Sequence, residues 1–161
     1  MNKILVIAGS NASDSINQDL AKKIALNENV DYIDTRTLNI PLHNRDLEIN
    51  FPSSVIDFYH KIKEYQNLII VTPEYNGNLS SFFKSILDWL SRHDRFYLDN
   101  INVIILSASP GQTGGASVRE SLKNMLSFTN ANIIGTIGFK EYDITKDYSK
   151  EIKKIINLFN H

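Results

Sequence analysis

Three short segments of the chain carry residue types suited to gripping a ligand. The first reads Gly9-Ser10-Asn11-Ala12-Ser13-Asp14-Ser15-Ile16-Asn17 and opens a run with helical spacing. A helix start offers free N–H groups and the positive end of the helix dipole, which together attract phosphate. Serine hydroxyls and asparagine amides around it can wrap phosphate oxygens without adding charge. Ser, Asn and Asp are also the favoured helix caps. One cap needs one such residue, whereas this segment has six, counting Asp14. Neither common nucleotide fingerprint is present: the segment has no Gly-Lys-Ser/Thr ending, and Gly9 is its only glycine.

The second segment, Thr72-Pro73-Glu74-Tyr75-Asn76-Gly77-Asn78, follows an apolar run directly. Asn76-Gly77 signals a tight turn, Tyr75 offers an aromatic face, and Glu74 offers a carboxylate. The third segment, Ser107-Ala108-Ser109-Pro110-Gly111-Gln112-Thr113-Gly114-Gly115, has three glycines in five positions. Backbone of that kind can approach a flat ligand closely. Taken singly, the second and third segments read equally well as ordinary turns. A phosphate cradle beside two backbone-rich loops outlines a site for a phosphorylated planar ligand.

The surrounding pattern must bring these segments together. Continuous β-branched runs recur at Ile4-Leu5-Val6-Ile7, Leu68-Ile69-Ile70-Val71, Val103-Ile104-Ile105-Leu106 and Ile133-Ile134-Gly135-Thr136-Ile137. Unbroken apolarity predicts strands buried on both faces of a parallel sheet. Val30-Asp31-Tyr32-Ile33-Asp34 alternates and predicts a more exposed strand. Helical spacing falls between the runs, at Ile16/Leu20/Ile24, Val55/Phe58/Ile62, Leu79/Phe82/Phe83/Ile86/Leu87/Leu90, Val118/Leu122/Met125/Leu126 and Ile152/Ile155/Ile156/Phe159. The resulting βαβαβαβαβα order predicts an α/β, flavodoxin-like, doubly wound parallel sheet of five strands in the order 2-1-3-4-5, with helices on both faces. No linker or repeat divides the chain, so residues 1–161 are expected to form one domain. In such sheets a ligand lies beyond the carboxyl ends of the strands near the switch point, where all three segments fall.

Composition narrows the function classes. Lys plus Arg is 17 and Asp plus Glu is 18, a formal charge of −1, which disfavours a nucleic-acid partner. No apolar run approaches the roughly 20 residues that cross a bilayer, and Ile4 to Ala8 is too short for a signal-peptide core. With no cysteine, disulfides, thiolate ligands and a catalytic thiol are excluded, and a cytoplasmic location is expected. His43, His60, His93 and His161 lack metal-ligand spacing. A G-x-S-x-G nucleophile elbow is also missing.

On these residues the sequence resembles the NAD(P)H-dependent FMN reductases, a family that includes quinone, azo-dye and chromate reductases. Gly9, Ser10, Ser15 and Asn17 match its first motif, G-S-x-R-x-x-S-x-N. Pro73-Glu74-Tyr75-Asn76 followed by Lys84, Asp88 and Trp89 matches P-E-Y-N and K-x-x-x-D-W. Ser109-Pro110-Gly111 and Gly114-Gly115 match in type its glycine-rich loop after the fourth strand. The resemblance runs along essentially the whole chain, and the middle motif is the most specific. One position departs from it: Ala12 stands where the family often has an arginine beside the FMN phosphate, which implies weaker retention of FMN.

The resemblance implies FMN as cofactor, with the phosphate on Ser10, Ser15 and Asn17. The ring would lie between Pro73, Glu74, Tyr75, Asn76 and Gly77 on one side and Ser109, Gly111, Gly114 and Gly115 on the other. NAD(P)H would be the reductant and a small molecule such as a quinone, azo compound or free flavin the acceptor, in ping-pong turnover. The flavin carries the chemistry, so no catalytic acid or base is expected. Amides of Gly111 to Gly115, at the start of the fourth helix, are placed to meet negative charge on a reduced ring. A flavodoxin-like electron carrier or a regulatory flavin-binding protein without turnover remains the alternative. Lys84 and Asp88 suit an i,i+4 ion pair, and Trp89 a core or interface position. The helix bearing Phe82, Phe83, Ile86 and Leu87 is apolar on more than one face, which suggests a homodimer or homotetramer.

Overall fold

Strand and helix alternate along the chain in the computed structural model, which describes residues 3–160; Met1, Asn2 and His161 lie outside that range. The elements are β1 (Ile4–Ala8), α1 (Ile16–Ala25), β2 (Val30–Ile33), α2 (Ser53–Lys63), β3 (Asn67–Val71), α3 (Ser81–His93), β4 (Asn102–Ala108), α4 (Ala116–Leu126), β5 (Asn132–Phe139) and α5 (Ser149–Asn157). All neighbouring strands pair parallel, in the order β2-β1-β3-β4-β5. That is the flavodoxin-like doubly wound order expected from the apolar runs.

Successive strand residues point to opposite faces of the sheet, and this parity builds two cores. Leu5, Ile7, Leu68, Ile70, Val103 and Ile105 pack against α2, α3 and α4. Ile4, Val6, Ile69, Val71, Ile104 and Leu106 pack against α1 and α5. Both faces are covered by helices, so neither parity can be polar, and the central strands read as unbroken apolar runs.

β5 differs from that expectation. Its run is apolar, yet most of its residues are only half-buried. It is an edge strand with one neighbour, so its side chains have less cover. The ladder also skips a residue, passing from Val103–Ile133 to Ile104–Gly135, so Ile134 is bulged. At the other edge, β2 is more exposed than the central strands, as the sequence suggested, with only Val30 buried.

The second apolar face of α3 is covered by the chain itself. Residues 40–51 fold across it: Trp89 Nε1 donates to the Pro41 carbonyl at 2.8 Å, and the His43 N–H donates to Ser85 Oγ at 2.6 Å. The rings of His43 and Phe51 meet Trp89 edge-on at 4.7 and 5.0 Å. Trp89 is therefore a core residue. Lys84 and Asp88 form the expected i,i+4 ion pair. Among the described residues no helix is long and apolar enough to cross a membrane, and no group of three or more His, Asp or Glu is placed to hold a metal.

Candidate cofactor site

The order β2-β1-β3-β4 brings the loops after β1, β3 and β4 side by side at the carboxyl edge of the sheet. The first loop is held from several directions. Thr35 Oγ1, just past β2, donates to the Ala8 carbonyl at 2.6 Å, and Ser80 Oγ, just before α3, donates to the Gly9 carbonyl at 2.7 Å. Gln18 Nε2 donates to the Ser10 carbonyl at 2.7 Å while its amide oxygen accepts from the Tyr32 hydroxyl. Ser10 itself is fully buried, and its hydroxyl oxygen accepts from the Ala12 N–H at 3.3 Å.

Ser15 caps α1, accepting from the N–H groups of Asn17 at 3.2 Å and Gln18 at 3.3 Å. Asn17 is buried and faces inward. Its Nδ2 donates to the Ala108 carbonyl at 3.1 Å, and its Oδ1 accepts from the Ala108 N–H at 2.8 Å. The side chain thus fastens the start of α1 to the end of β4. By contrast, the N–H groups of Ser13, Asp14, Ser15 and Ile16 have no acceptor among the described residues. These are the orphan donors that a helix start and its leading turn leave open.

The second loop is a tight turn. Tyr75 and Asn78 exchange both backbone hydrogen bonds, at 2.9 and 3.0 Å, around Asn76 and Gly77, whose φ values are 51° and 73°. Positive φ at both central positions is what an Asn-Gly pair supplies most readily. The turn leaves Tyr75 half-exposed, with 48% of its surface free. Glu74 points towards the third loop, where its Oε2 accepts the Val118 N–H at 2.9 Å in the first turn of α4. The carboxylate is therefore a cap for α4, and it shares that helix start with the Gly111–Gly115 amides.

In the third loop, Gly114 and Gly115 both have positive φ, and Gly115 is the residue preceding α4. A Cβ at Gly115 would fall 2.7 Å from Ser107 Oγ, so both backbone angle and space demand glycine there. The Gly111 carbonyl accepts from the Glu141 N–H at 3.0 Å and from Ser109 Oγ at 3.1 Å. One residue that sequence reasoning passed over, Arg119, lies behind this loop. Its Nη1 donates to Ser107 Oγ at 2.7 Å and to the Gly114 carbonyl. Burial pulls its guanidinium below the usual arginine range, and the charge of Glu74 acts in the opposite direction. The only local signal for it was a cation three residues into a helix that follows two glycines.

A cleft of about 270 Å³ opens where the three loops meet. It is lined by Ala12, Asp14, Ser15, Ile16 and Asn17, by Pro73, Glu74 and Tyr75, and by Ala108, Ser109 and Pro110. Of the residues anticipated from sequence, Ser15, Asn17, Pro73, Glu74, Tyr75 and Ser109 share its walls. Ser10 lies buried beside it, while Asn76, Gly77, Gly111, Gly114 and Gly115 shape the neighbouring backbone. Open amides at the start of α1, in a cleft also lined by Tyr75 and Pro110, fit a ligand with a phosphate and a flat, apolar body. The donor set is compatible with FMN.

Fold and cleft together define a flavodoxin-like α/β protein with a loop-lined cleft at the switch point. A model of the family described as NADPH-dependent FMN reductase matches residues 2–141, and the chain belongs to that family. It is 30% identical to an NAD(P)H-dependent FMN reductase of Pseudomonas aeruginosa over 81% of this chain and 72% of that one. It is also 35% identical to a quinone reductase of Escherichia coli over 60% of this chain, a match spanning about half (52%) of that enzyme's length. Among solved structures, a flavoenzyme NAD(P)H:acceptor oxidoreductase from Paracoccus denitrificans superposes with a TM-score of 0.80 at 21% identity, covering 99% of this chain and 93% of that one. At that identity the likeness speaks for the fold.

Proposed function

We propose that the chain is an NAD(P)H-dependent reductase that uses FMN to pass electrons to a small-molecule acceptor of the quinone kind. The observation that carries this reading is the single cleft whose walls come from all three loops, with unpartnered amides at the α1 end. When bound there, FMN supplies hydride acceptance and electron donation. The residues of the chain hold and shield it. Ser13 to Ile16 offer N–H groups to the phosphate, Ser10 and Ser15 brace that loop, and Asn17 fixes its distance from β4. Pro73, Tyr75 and Ser109 flank the body of the cleft, and Tyr75, half in solvent, borders the way in.

One open cleft would serve reductant and acceptor in turn, the arrangement that produces ping-pong kinetics. Free flavin and azo compounds are further acceptors of the right shape. No side chain in the cleft is assigned proton transfer, because Glu74 is engaged as a cap. A cytoplasmic setting suits a chain without cysteine. A homodimer or homotetramer belongs to the same proposal, supported by Leu42 and Ile49, which the 40–51 segment leaves 72% and 88% exposed.

Steady-state oxidation of NADPH and NADH with added FMN and a benzoquinone tests the reading. Parallel lines in double-reciprocal plots support ping-pong turnover. Retention of FMN without oxidation of either nucleotide, whatever the acceptor, would make the chain a carrier or a regulatory flavoprotein instead.

A further inference from the structure

The phosphate loop lacks a cation of its own. Residues 9–15 contain no Lys or Arg and include the carboxylate of Asp14. A cation nevertheless reaches this loop from the turn after a different strand. β2 lies beside β1 in the sheet, so the turn after β2 stands next to the turn after β1. That turn is anchored by buried Thr35 on the Ala8 carbonyl. Arg36 follows it directly, and its Nη1 donates to the Ala12 carbonyl at 3.4 Å.

The guanidinium is oriented by Asp34, with Nε 2.8 Å from Oδ1 and Nη2 2.5 Å from Oδ2. Asp34 also accepts the Arg36 backbone N–H at 3.1 Å. This clamp holds the Asp34 carboxyl below its ordinary range, with Lys22 contributing to the same field. A guanidinium has five N–H groups, and the Asp34 pair and the Ala12 carbonyl occupy three, leaving two open. The carboxylate sits on the Nε side while Nη1 faces the loop, so the end of the pair turned towards the loop is the positive one.

We propose that Arg36 is the residue that supplies cationic recognition of the cofactor phosphate in this chain, replacing from the turn after β2 the charge that Ala12 omits from the loop itself. The proposal rests on the FMN reading of the cleft. It makes Arg36 and Asp34 a specificity pair for phosphorylated over unphosphorylated flavin, and it accounts for how a loop with no cation of its own can hold a dianion.

The test is binding, measured by quenching of flavin fluorescence for FMN and for riboflavin with native protein, Arg36→Gln, Arg36→Lys and the double variant Ala12→Arg/Arg36→Gln. A charged hydrogen bond lost at the phosphate weakens FMN binding by about ten- to hundredfold. Arg36→Gln is expected to show that loss for FMN alone, with riboflavin unchanged. Arg36→Lys should keep part of the preference, and Ala12→Arg should restore it in the double variant. Raised salt should weaken FMN binding to native protein more than to Arg36→Gln. An FMN-to-riboflavin affinity ratio that Arg36→Gln leaves unaltered would overturn the role of Arg36, whether or not the variant is less stable. Native protein that binds neither flavin would overturn the FMN reading itself.

Discussion

Asn17 and Ala108 lie 91 positions apart, yet they exchange two hydrogen bonds, at 2.8 and 3.1 Å, in a buried setting. The Asn17 amide does for the end of β4 what a paired strand would do, satisfying both its N–H and its carbonyl. It thereby sets the spacing between the loop after β1 and the glycine-rich loop after β4. Removing it leaves two buried backbone groups without partners, each costing about 1–3 kcal/mol.

Asn17→Ala should therefore destabilise the fold by about 2–6 kcal/mol, read from urea or thermal unfolding. Asn17→Asp should do no better, because a carboxylate keeps the acceptor but presents negative charge to the Ala108 carbonyl. A variant with aspartate as stable as the native chain at neutral pH would show that the donor half of the pair contributes nothing.

Glu74 and Val118 tie the second loop to the first turn of α4 through one hydrogen bond of 2.9 Å. Glu74→Gln keeps an acceptor in place and should retain most of the stability, whereas Glu74→Ala loses a cap worth about 1 kcal/mol. If proton transfer by Glu74 drove turnover, Gln would abolish activity; the cap reading predicts that it survives. Comparing thermal midpoints and NAD(P)H oxidation for the two variants separates these roles.

Gly111 and Gly115 belong to the same loop but answer to different constraints. Gly115→Ala places a methyl group 2.7 Å from Ser107 Oγ at a φ of 71°, and should cost about 1–3 kcal/mol. Gly111→Ala meets nothing within 4 Å and should be tolerated. Equal unfolding midpoints for the two variants would contradict the geometry of the α4 entrance.

Asp34 gives a pH dependence with a defined sign. Its carboxyl lies below its ordinary value in the folded state because Arg36 hydrogen-bonds and ion-pairs with it. Its contribution is complete above the unfolded-state value of about 3.9 and is lost as pH falls through the lower folded value. The pair is partly exposed, so the contribution is about 0.5 kcal/mol. Native protein should exceed Asp34→Asn by that amount at pH 7, and the gap should close on acidification. A gap that widened in acid would reverse the assignment.

Tyr75 borders the cleft with half its surface free. Tyr75→Ala should leave the fold intact and change KM for bulky acceptors by several-fold, with a smaller effect on FMN affinity. Unchanged kinetics with every acceptor would remove Tyr75 from the entrance.

Periodicity alone determined the order of elements. Unbroken runs such as Ile69-Ile70-Val71 and the four-residue spacing of Ile16, Leu20 and Ile24 reflect burial on known geometric repeats, and burial is written locally in residue type. Loops rich in Ser, Asn, Pro and Gly were legible for the same reason, since turns and helix starts select those residues. What no local pattern contained was the partner of each polar side chain. Asn17 and Glu74 read alike as ligand contacts or as structural braces until β4 and α4 arrived beside them. Arg36 carried no signal at all, because its value depends on β2 lying next to β1. The 40–51 segment, without a period of its own, hid the fact that it covers Trp89. A hydrogen bond needs its two atoms within about 3 Å, and only the tertiary structure decides which distant atoms come that close.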